Sequence, residues 1–324
     1  QRHRSPIRVH DGPRPQEGQL SRYEANILVE RALIDAALKA PAPSWFKSPK
    51  GRTVYIVGVG TNHHAAQIAA WLWCRAGLDA RAVHSFDFVS RPYRLSRGDL
   101  GIFLSHRGTK SYTVKAEAMA RRAGAETVAI TGVGSTWLGP KKRIETCALE
   151  DTGAYTKSLT TTLAWLLRFP RKPALLAPFK RAQASLSWGP DFPTVTPHMD
   201  LVFLGDGLRE WVAREIALKL QEAAYLRVRA FGLEEFLHGP RISVGAGSLV
   251  VGFSGPKEKR WDVARRYLQT IEVPLVEVSS EDWLAQILWG QRFTLAACRQ
   301  LGINPDLLRT DDPRYKKARA ELSL

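Results

Sequence analysis

The sequence predicts an α/β protein built from two doubly wound parallel sheets with helices on both faces. Short apolar and β-branched runs alternate with helical stretches along most of the chain, an order that is typical of parallel sheets. The pattern also occurs twice. The run Val54–Val57 ends in Gly58-Val59-Gly60, and the run Leu201–Leu204 ends in Gly205-Asp206-Gly207. A pattern repeated in this way indicates an internal duplication.

The first half contains five predicted strands and three predicted helices. The strands are expected at Thr53–Val57, Ala80–His84, Leu100–Leu104, Thr127–Thr131 and Ile144–Leu149. The helices are expected at about His63–Ala76, Tyr112–Ala123 and Ser158–Leu167. A further helix, from about Ser21 to Lys39, precedes the first strand, because its apolar residues recur at helical spacing and Ser21 can cap its start.

The second half repeats this order after a proline-rich stretch. A helix over about Arg209–Ala224 follows the second Gly-x-Gly turn, and the strand Ser248–Ser254 aligns with residues 99–105. We therefore expect an N-terminal arm and helix (1–45), a first domain (46–182), a linker (183–198), a second domain (199–300) and a C-terminal tail (301–324) that closes over the site.

The charge balance indicates an anionic partner. Lys and Arg number 47 against 31 Asp and Glu, a net charge of +16, and such a surplus attracts nucleic acid, membrane surfaces or phosphorylated small molecules. The basic residues are scattered and one helix is too little for a helix-turn-helix domain, so nucleic acid is not expected. No apolar run is long enough to span a bilayer, and no signal peptide is visible. We expect a cytoplasmic protein without a membrane partner.

Two loops of the first half have the composition of an anion site. Ligands of open parallel sheets bind beyond the carboxyl ends of the strands, where helix N-termini present unpaired N–H groups. One loop is Gly58–Asn62. The other, Ser105–Ser111, combines hydroxyls and a glycine with the cations Arg107 and Lys110, which suits a phosphate dianion. The third glycine of a dinucleotide fingerprint and the Walker lysine pattern are both missing, which disfavours a nucleotide.

Titratable side chains gather in the second half. Glu215, Lys219 and Glu222 are spaced four and three apart and share one helix face. A solvated Glu–Lys ladder is the alternative reading of that spacing. The segment from Glu234 to Pro240 then places two carboxylates and the imidazole of His238 before a Gly-Pro stop, and histidine is the side chain best suited to move protons near neutral pH.

These motifs together resemble tandem sugar isomerase (SIS) domains, most closely the isomerase half of glucosamine-6-phosphate synthase and its stand-alone isomerase, deaminase and deglycase relatives. The similarity covers about Thr53 to the C-terminus. It is carried by Gly60-Thr61, Ser105-x-x-Gly108, Glu150 through Thr156-Lys157-Ser158, Glu215-x-Ala217-Leu218-Lys219-Leu220-x-Glu222 and Glu235-x-x-His238-Gly239-Pro240.

The resemblance implies a flavodoxin-like, SIS-type fold and proton transfer between sugar carbons 1 and 2 without metal or cofactor. It assigns the base to Glu222 and ring opening to His238, donated by the second subunit of a homodimer. Lys219 and Glu235 match accompanying polar positions, and a tail lysine, Lys316 or Lys317, would close over the sugar. The implied substrate-binding residues are Gly60, Thr61, Asn62, Ser105, His106, Arg107, Gly108, Lys110, Tyr155, Thr156 and Glu235.

The phosphate loop departs from the family pattern. The usual Ser-Gln-Ser-Gly-Glu-Thr is here Ser105-His106-Arg107-Gly108-Thr109-Lys110, Asn62 replaces a serine, and Tyr155 replaces the serine before Thr-Lys. The cations could bind the phosphate in a different way, or they could admit a more anionic substrate. They could also indicate a protein whose catalytic activity has diverged from that of the family. We expect an aldose–ketose isomerase or an amino-sugar-phosphate deaminase or deglycase. Since no glutaminase domain is seen, amide transfer from glutamine is not expected. The alternative is a non-catalytic phosphosugar sensor.

Overall fold

The computed structural model describes residues 20–322 except Lys47, Pro92, Arg94, Leu138, 183–191 and Lys257. Within these residues nine strands form two parallel sheets. The strands are β1 (Thr53–Gly58), β2 (Asp79–His84), β3 (Leu100–Leu104), β4 (Glu126–Val133), β5 (Arg143–Ala148), β6 (Asp200–Gly205), β7 (Val228–Gly232), β8 (Ser248–Ser254) and β9 (Leu275–Ser279).

The helices of the described chain cover both faces of these sheets. They are α1 (Arg22–Lys39), α2 (Thr61–Arg75), α3 (Ser85–Ser90), α4 (Ser111–Arg122), α5 (Lys157–Arg168), α6 (Ala177–Ala182), α7 (Arg209–Ala223), α8 (Leu233–His238), α9 (Arg260–Thr270), α10 (Trp283–Gln300) and α11 (Pro313–Glu321). Nowhere in the described ranges is a helix long and apolar enough to cross a membrane.

The two sheets have matching strand orders. The first runs β2-β1-β3-β4-β5 and the second β7-β6-β8-β9, so β1 and β6 each lie between the two strands that follow them in their half. The first order is that of a flavodoxin-like doubly wound fold. The predicted fold class is therefore confirmed. Both central strands are buried along almost their whole length, as parallel strands covered on two faces must be.

The twin Gly-x-Gly turns have the same geometry for the same reason. A Cβ on Gly58 would lie 2.7 Å from the carbonyl carbon of Asn62, and one on Gly205 would lie 2.5 Å from the amide nitrogen of Glu210. The second glycines, Gly60 and Gly207, have φ of 58° and 55°, which side chains rarely tolerate. Each turn thus lets a helix start directly against its strand.

Among the elements of the second half that were not predicted from the sequence are β7, β9 and α10. The strands β7 and β9 are short and each contains a charged residue, Arg229 in β7 and Glu277 in β9, so their apolar pattern is weak. The helix α10 is buried along most of its length, and a helix that is apolar on most sides lacks the stripe that marks an amphipathic helix. Pairing with neighbouring elements, rather than local pattern, defines all three.

One large hydrophobic core lies between the two sheets. It includes Ile56 of β1, Phe203 of β6 and residues of α1, α2, α7 and α10, all buried. The outer face of each sheet is covered by a smaller hydrophobic core of its own. The five strands of the first sheet lie between Thr53 and Ala148 and the four of the second between Asp200 and Ser279. The domain boundaries themselves stay predictions, and part of the predicted linker, 183–191, falls outside the described residues.

Candidate functional site

The first Gly-x-Gly turn meets helix α7 of the second half through a buried carboxylate. Thr61 Oγ1 donates to Glu215 Oε1 at 3.0 Å, and His64 Nδ1 lies 2.7 Å from Glu215 Oε2. Both partners stand at the start of α2, and Glu215 is fully buried. The contact joins the carboxyl edge of the first sheet to the predicted polar stripe of α7.

The polar stripe on α7 is a connected charge group. Lys219 Nζ lies 2.7 Å from Glu222 Oε2 and 3.7 Å from Glu215 Oε1. Burial acts to lower the pKa of Lys219, but Glu222 and Glu215 outweigh it and the pKa is raised. The Lys219 side chain is 1% exposed and that of Glu222 is 34% exposed. Two of the three side chains are buried, so the stripe is not a solvated ladder, and Glu222 is the member open to a ligand.

The loop after β3 prepares the start of α4 for an anion. Ser105 Oγ accepts a hydrogen bond from the Gly108 amide at 3.2 Å, and this bond closes a turn in the loop. Helix α4 has no acidic residue in its first turn and no side-chain cap, so its own first turn has no carboxylate that would offset the partial positive charge of its first N–H groups. Lys110, at the cap position, is exposed. This combination of amides and an exposed cation suits a phosphate.

His106 is a buried residue of this loop and links it to the segment that contains Glu150. Its Nε2 accepts from the amide of Glu150 at 2.9 Å, and it is 5% exposed. Since an amide N–H can only donate, Nε2 carries no proton and the imidazole is neutral. Burial, followed by the charges of Arg107 and Lys157, lowers the pKa of His106 to about 4. The side chain therefore positions the segment that contains Glu150 and acts as a structural support.

The start of α5 is already occupied by a carboxylate of the protein. Glu150 is fully buried and accepts from the amides of Thr156 and Ser158 at 3.0 and 2.9 Å. Asn26 Nδ2 of α1 donates to the same carboxylate at 3.1 Å. An anionic ligand would be repelled there, so α5 is not a second phosphate site.

Three departures from the family pattern meet in one place. Arg107 Nε donates to the Tyr155 hydroxyl at 3.1 Å, and its Nη2 donates to the Glu150 carbonyl. The His106 ring meets the Tyr155 ring edge-on at 5.1 Å between centroids. These substitutions form one contact cluster between the phosphate loop and the segment 150–156.

Some of the predicted site residues belong to one network of contacts, and others do not. The structure joins Thr61, Lys219 and Glu222 through Glu215, and places Gly60 and the half-buried Asn62 in the same turn. Thr156 is buried, and its Oγ1 lies 3.2 Å from Glu150 Oε2.

The remaining predicted residues are exposed and lie elsewhere. Glu235 pairs with Arg214 at 3.3 Å, His238 ends α8, and Lys317 lies on α11. Across the described ranges, no hydrogen bond or ion pair links His238 or Lys317 to the α7 stripe.

The structure adds residues that received no role from the sequence. Glu215 and Glu150 stood in the recognised motifs, but only their contacts show that each joins two elements. His64 lies three residues after Thr61 on the same helix face, a spacing that could have linked it to the same partner. Among the described side chains, no group of three His, Cys, Asp or Glu residues is arranged to hold a metal ion.

Comparison with known proteins shows a family match for part of the chain. Residues 49–169 match the SIS domain model. The glutamine–fructose-6-phosphate aminotransferase (isomerizing) of Pyrobaculum aerophilum is 31% identical over 227 residues, which cover 63% of this chain and 38% of that protein. The chain thus matches well under half the length of that relative. The resemblance to the SIS family is confirmed, and residues 49–169 form an SIS domain.

Solved structures extend the likeness in fold to both halves. The glucosamine-6-phosphate deaminase of Thermotoga maritima superposes with a TM-score of 0.74 at 18% identity, over 89% of this chain and 97% of that one. The tagatose-6-phosphate ketose/aldose isomerase of Escherichia coli gives 0.71 at 21% identity, over 91% and 97%. At these identities the comparison shows the fold, which this chain shares over both sheets.

Proposed function

We propose that this chain binds a sugar phosphate and moves a proton between its carbons 1 and 2, as an aldose–ketose isomerase or an amino-sugar-phosphate deaminase or deglycase. The observation that carries the proposal is Glu222. It is a partly exposed carboxylate, held by a buried ammonium, on a helix bonded to the turn of the first sheet.

The chemistry of such a reaction matches this arrangement. Once the sugar ring is open, the C–H beside the carbonyl is acidified, and a carboxylate in reach can carry its proton between the two carbons. Lys219 Nζ, 2.7 Å from Glu222 Oε2, neutralises the carboxylate and fixes its direction. Glu215, bound by Thr61 and His64, in turn fixes Lys219.

The phosphate group of the sugar would anchor the ligand in the site. It would bind the loop Ser105–Ser111 and the first amides of α4, with Lys110 beside it, because the start of α5 is filled by Glu150. Binding energy from this remote group can then be used to orient the reacting carbons against Glu222.

Two predicted residues would complete the site from outside this contact network. His238 is exposed at the end of α8 and would open the sugar ring in the site of a second subunit, which makes the proposed active form a homodimer. Lys317 lies on the exposed helix α11 and would reach the open sugar when the tail closes.

The names of the relatives support the same class of reaction. The Pyrobaculum relative is an isomerising aminotransferase acting on fructose 6-phosphate, and the two solved structures are a glucosamine-6-phosphate deaminase and a ketose/aldose isomerase of tagatose 6-phosphate. Each name contains a six-carbon sugar phosphate.

The test is turnover of hexose and hexosamine 6-phosphates by the wild type and by Glu222→Gln. We expect the variant to lose at least about 100-fold in kcat, the lower range for loss of general acid–base catalysis, while it still binds the substrate. Glu234→Gln is the matched control, because Glu234 is exposed and pairs with Arg260 away from α7. An unchanged kcat in Glu222→Gln would overturn the assignment of the base.

A non-catalytic phosphosugar sensor is the second candidate. It is favoured by the replacement of hydroxyls by Arg107 and Lys110 in the phosphate loop. Tight binding without turnover across the whole panel would establish the sensor and contradict the enzyme.

A further inference from the structure

The C-terminal segment contains a strained turn between α10 and α11. Leu308 and Arg309 are consecutive residues with φ of 47° and 57°, a backbone conformation that residues other than glycine rarely adopt. The Thr310 amide donates to the Leu307 carbonyl at 2.8 Å and closes the turn. Strained residues persist only where surrounding contacts hold them, and they are common at functional sites. The partners of these two residues therefore indicate what the turn holds in place.

Leu308 packs on the segment that lies beside the phosphate loop. A Cβ on Gly153 would overlap Leu308 Cδ1 and lie 2.8 Å from Leu308 Cγ, so the leucine side chain covers the bare backbone of this glycine. Gly153 belongs to the segment 150–156, in which the Glu150 carbonyl accepts a hydrogen bond from Arg107 of the phosphate loop. Leu308 is therefore connected to the phosphate side of the site through one intermediate segment.

Arg309 packs on the end of the helix that carries Glu222. Its amide donates to the Tyr225 hydroxyl at 2.7 Å, and its guanidinium lies 4.5 Å from the centroid of the Tyr225 ring. Tyr225 comes three residues after Glu222 and has a φ of 56°, directly after the Ala224 cap of α7, where glycine is the usual residue. The tyrosine provides the ring and the hydroxyl that Arg309 binds, which glycine would lack.

The same guanidinium joins the end of α7 to α11. Arg309 Nη1 donates to the Tyr315 hydroxyl at 3.2 Å, and the guanidinium lies 5.0 Å from the centroid of the Tyr315 ring. One cation is thus within cation–π distance of two tyrosine rings. Because Tyr315 is on α11, Arg309 also fixes the start of the helix that carries Lys317, the tail lysine of the proposed function.

We propose that Leu308 and Arg309 are positioning residues that hold the phosphate side of the site at a fixed distance from Glu222. The inference rests on the proposed function. A sugar bound by its phosphate at the start of α4 brings its reacting carbons to Glu222 only if α7 keeps its position relative to the phosphate loop. Small displacements of reacting groups reduce the rate steeply. Both residues act through the segments that they contact, so their loss should change kcat more than phosphate binding.

The first test separates turnover from binding in Arg309→Gln, which removes the guanidinium from both tyrosine rings. For the hexose or hexosamine 6-phosphate that the wild type converts, kcat should fall at least about tenfold, since a displacement of about 1 Å can cost about 100-fold. The Kd of sorbitol 6-phosphate, an open-chain ligand, should stay within about threefold of the wild type by titration calorimetry, because its phosphate contacts are unchanged.

Two further variants make this first test specific. Arg309→Lys keeps a cation beside the rings and should recover part of the lost kcat. Arg75→Gln is the matched control, because the Arg75 guanidinium lies 4.9 Å from the Trp71 ring centroid at the far end of α2, and its kcat should equal that of the wild type. If Arg309→Gln folds poorly, Tyr225→Phe, which removes only the acceptor of the Arg309 amide, takes its place.

The second test uses the close packing of Leu308 on Gly153. Gly153→Ala places a methyl group where the leucine side chain lies, so it should displace the turn and lower kcat about tenfold. Gly153 has no positive φ, so alanine brings no backbone strain of its own. Leu308→Ala frees the space that the methyl group needs. The double variant should therefore have a kcat at least about threefold above that of Gly153→Ala alone, the non-additivity expected of residues in contact.

Each alternative outcome has a distinct meaning. Unchanged kcat in Arg309→Gln, with an active wild type, would overturn the inference and leave the proposed function intact. An equal loss of kcat and of sorbitol 6-phosphate binding would show a general structural role for the turn and would also overturn the inference. So would a double variant no more active than Gly153→Ala. If the wild type converts no hexose or hexosamine 6-phosphate, the proposed function fails, and the inference fails with it.

Discussion

Glu30 is a carboxylic acid buried between the two halves of the molecule. Its Oε1 accepts from Thr160 Oγ1 of α5 and from Gln291 Nε2 of α10, both at 3.1 Å. Burial, followed by the nearby charge of Glu150, raises its pKa from 4.5 to about 8. The folded protein therefore holds Glu30 protonated at neutral pH, where the unfolded chain would have it ionised.

This shift makes stability fall as the pH rises. Between pH 4.5 and about 8 the folded state binds one proton more at Glu30 than the unfolded state, so the free energy of unfolding decreases over that window and is level above it. Glu30→Gln mimics the protonated acid and removes the effect. We expect the variant to be more stable than the wild type at pH 8, by an amount that shrinks towards pH 4.5.

Urea unfolding of both proteins from pH 4.5 to 9 measures this difference. His63 and His106, whose pKa values are both lowered to about 4, destabilise the fold below about pH 6.5 in both proteins, and their contribution cancels in the comparison. A stability difference that does not change with pH would show that Glu30 is ionised in the folded state.

At the residue scale, the sequence predicted the contacts of some side chains and not those of others. The spacing of Glu215, Lys219 and Glu222 placed them on one face, and the structure shows them in contact. His106 was predicted to bind substrate, but whether its side chain faces a ligand depends on the Glu150 amide, a partner 44 residues away. Spacing describes neighbours within one helix and carries no information about such distant partners.

At the scale of elements, the phosphate loop depends on one glycine. Gly108 has φ of 74°, and a Cβ there would lie 2.9 Å from the amide nitrogen of Trp137. Gly108→Ala should therefore distort the loop and destabilise the protein by about 1–3 kcal/mol. It should also weaken sugar-phosphate binding, because the loop amides and Lys110 would shift.

Two control variants separate backbone strain from crowding. Gly51 has φ of 78° and open space where a Cβ would lie, and Gly245 has neither a positive φ nor a close neighbour. Gly51→Ala should show the strain alone, and Gly245→Ala neither effect, by thermal unfolding. Equal Tm values for Gly108→Ala and Gly245→Ala would contradict the role of the loop geometry.

The elements of the first half could be predicted because their patterns are local. All five of its strands were predicted close to their observed positions, since each is a short run that contains apolar or β-branched residues between turns and helices. In the second half, β8 is the one partner of β9 among the described strands, and most residues of β9 are half-exposed. Its identity as a strand depends on that pairing, which the local sequence does not specify.

At the scale of the whole molecule, the halves share a core and are tied at their ends. Asp306 in the C-terminal segment accepts from the amides of Arg22 and Tyr23 at 2.8 and 2.9 Å, which caps α1. The Arg309 guanidinium lies 4.5 Å from the ring centroid of Tyr225, just beyond α7. The terminal segments thus pack on both halves.

We expect this shared core to unfold as one unit. Phe203→Ala, at a fully buried position of the second sheet, should cost about 3–5 kcal/mol and lower a single calorimetric transition. Amides of β3 in the first sheet should lose hydrogen-exchange protection to the same extent as those of β8. If β3 kept its wild-type protection, the two halves would be independent folding units.

The sequence by itself determined the α/β class, the duplication and the resemblance to the SIS family, because strand–turn–helix patterns and short motifs are local properties of the chain. The tertiary structure decided which groups meet. It closed the start of α5 with Glu150, left the start of α4 open, and joined Thr61 to the α7 stripe through Glu215. These contacts join residues far apart in the chain, and only the packing of the two sheets brings them within hydrogen-bond distance.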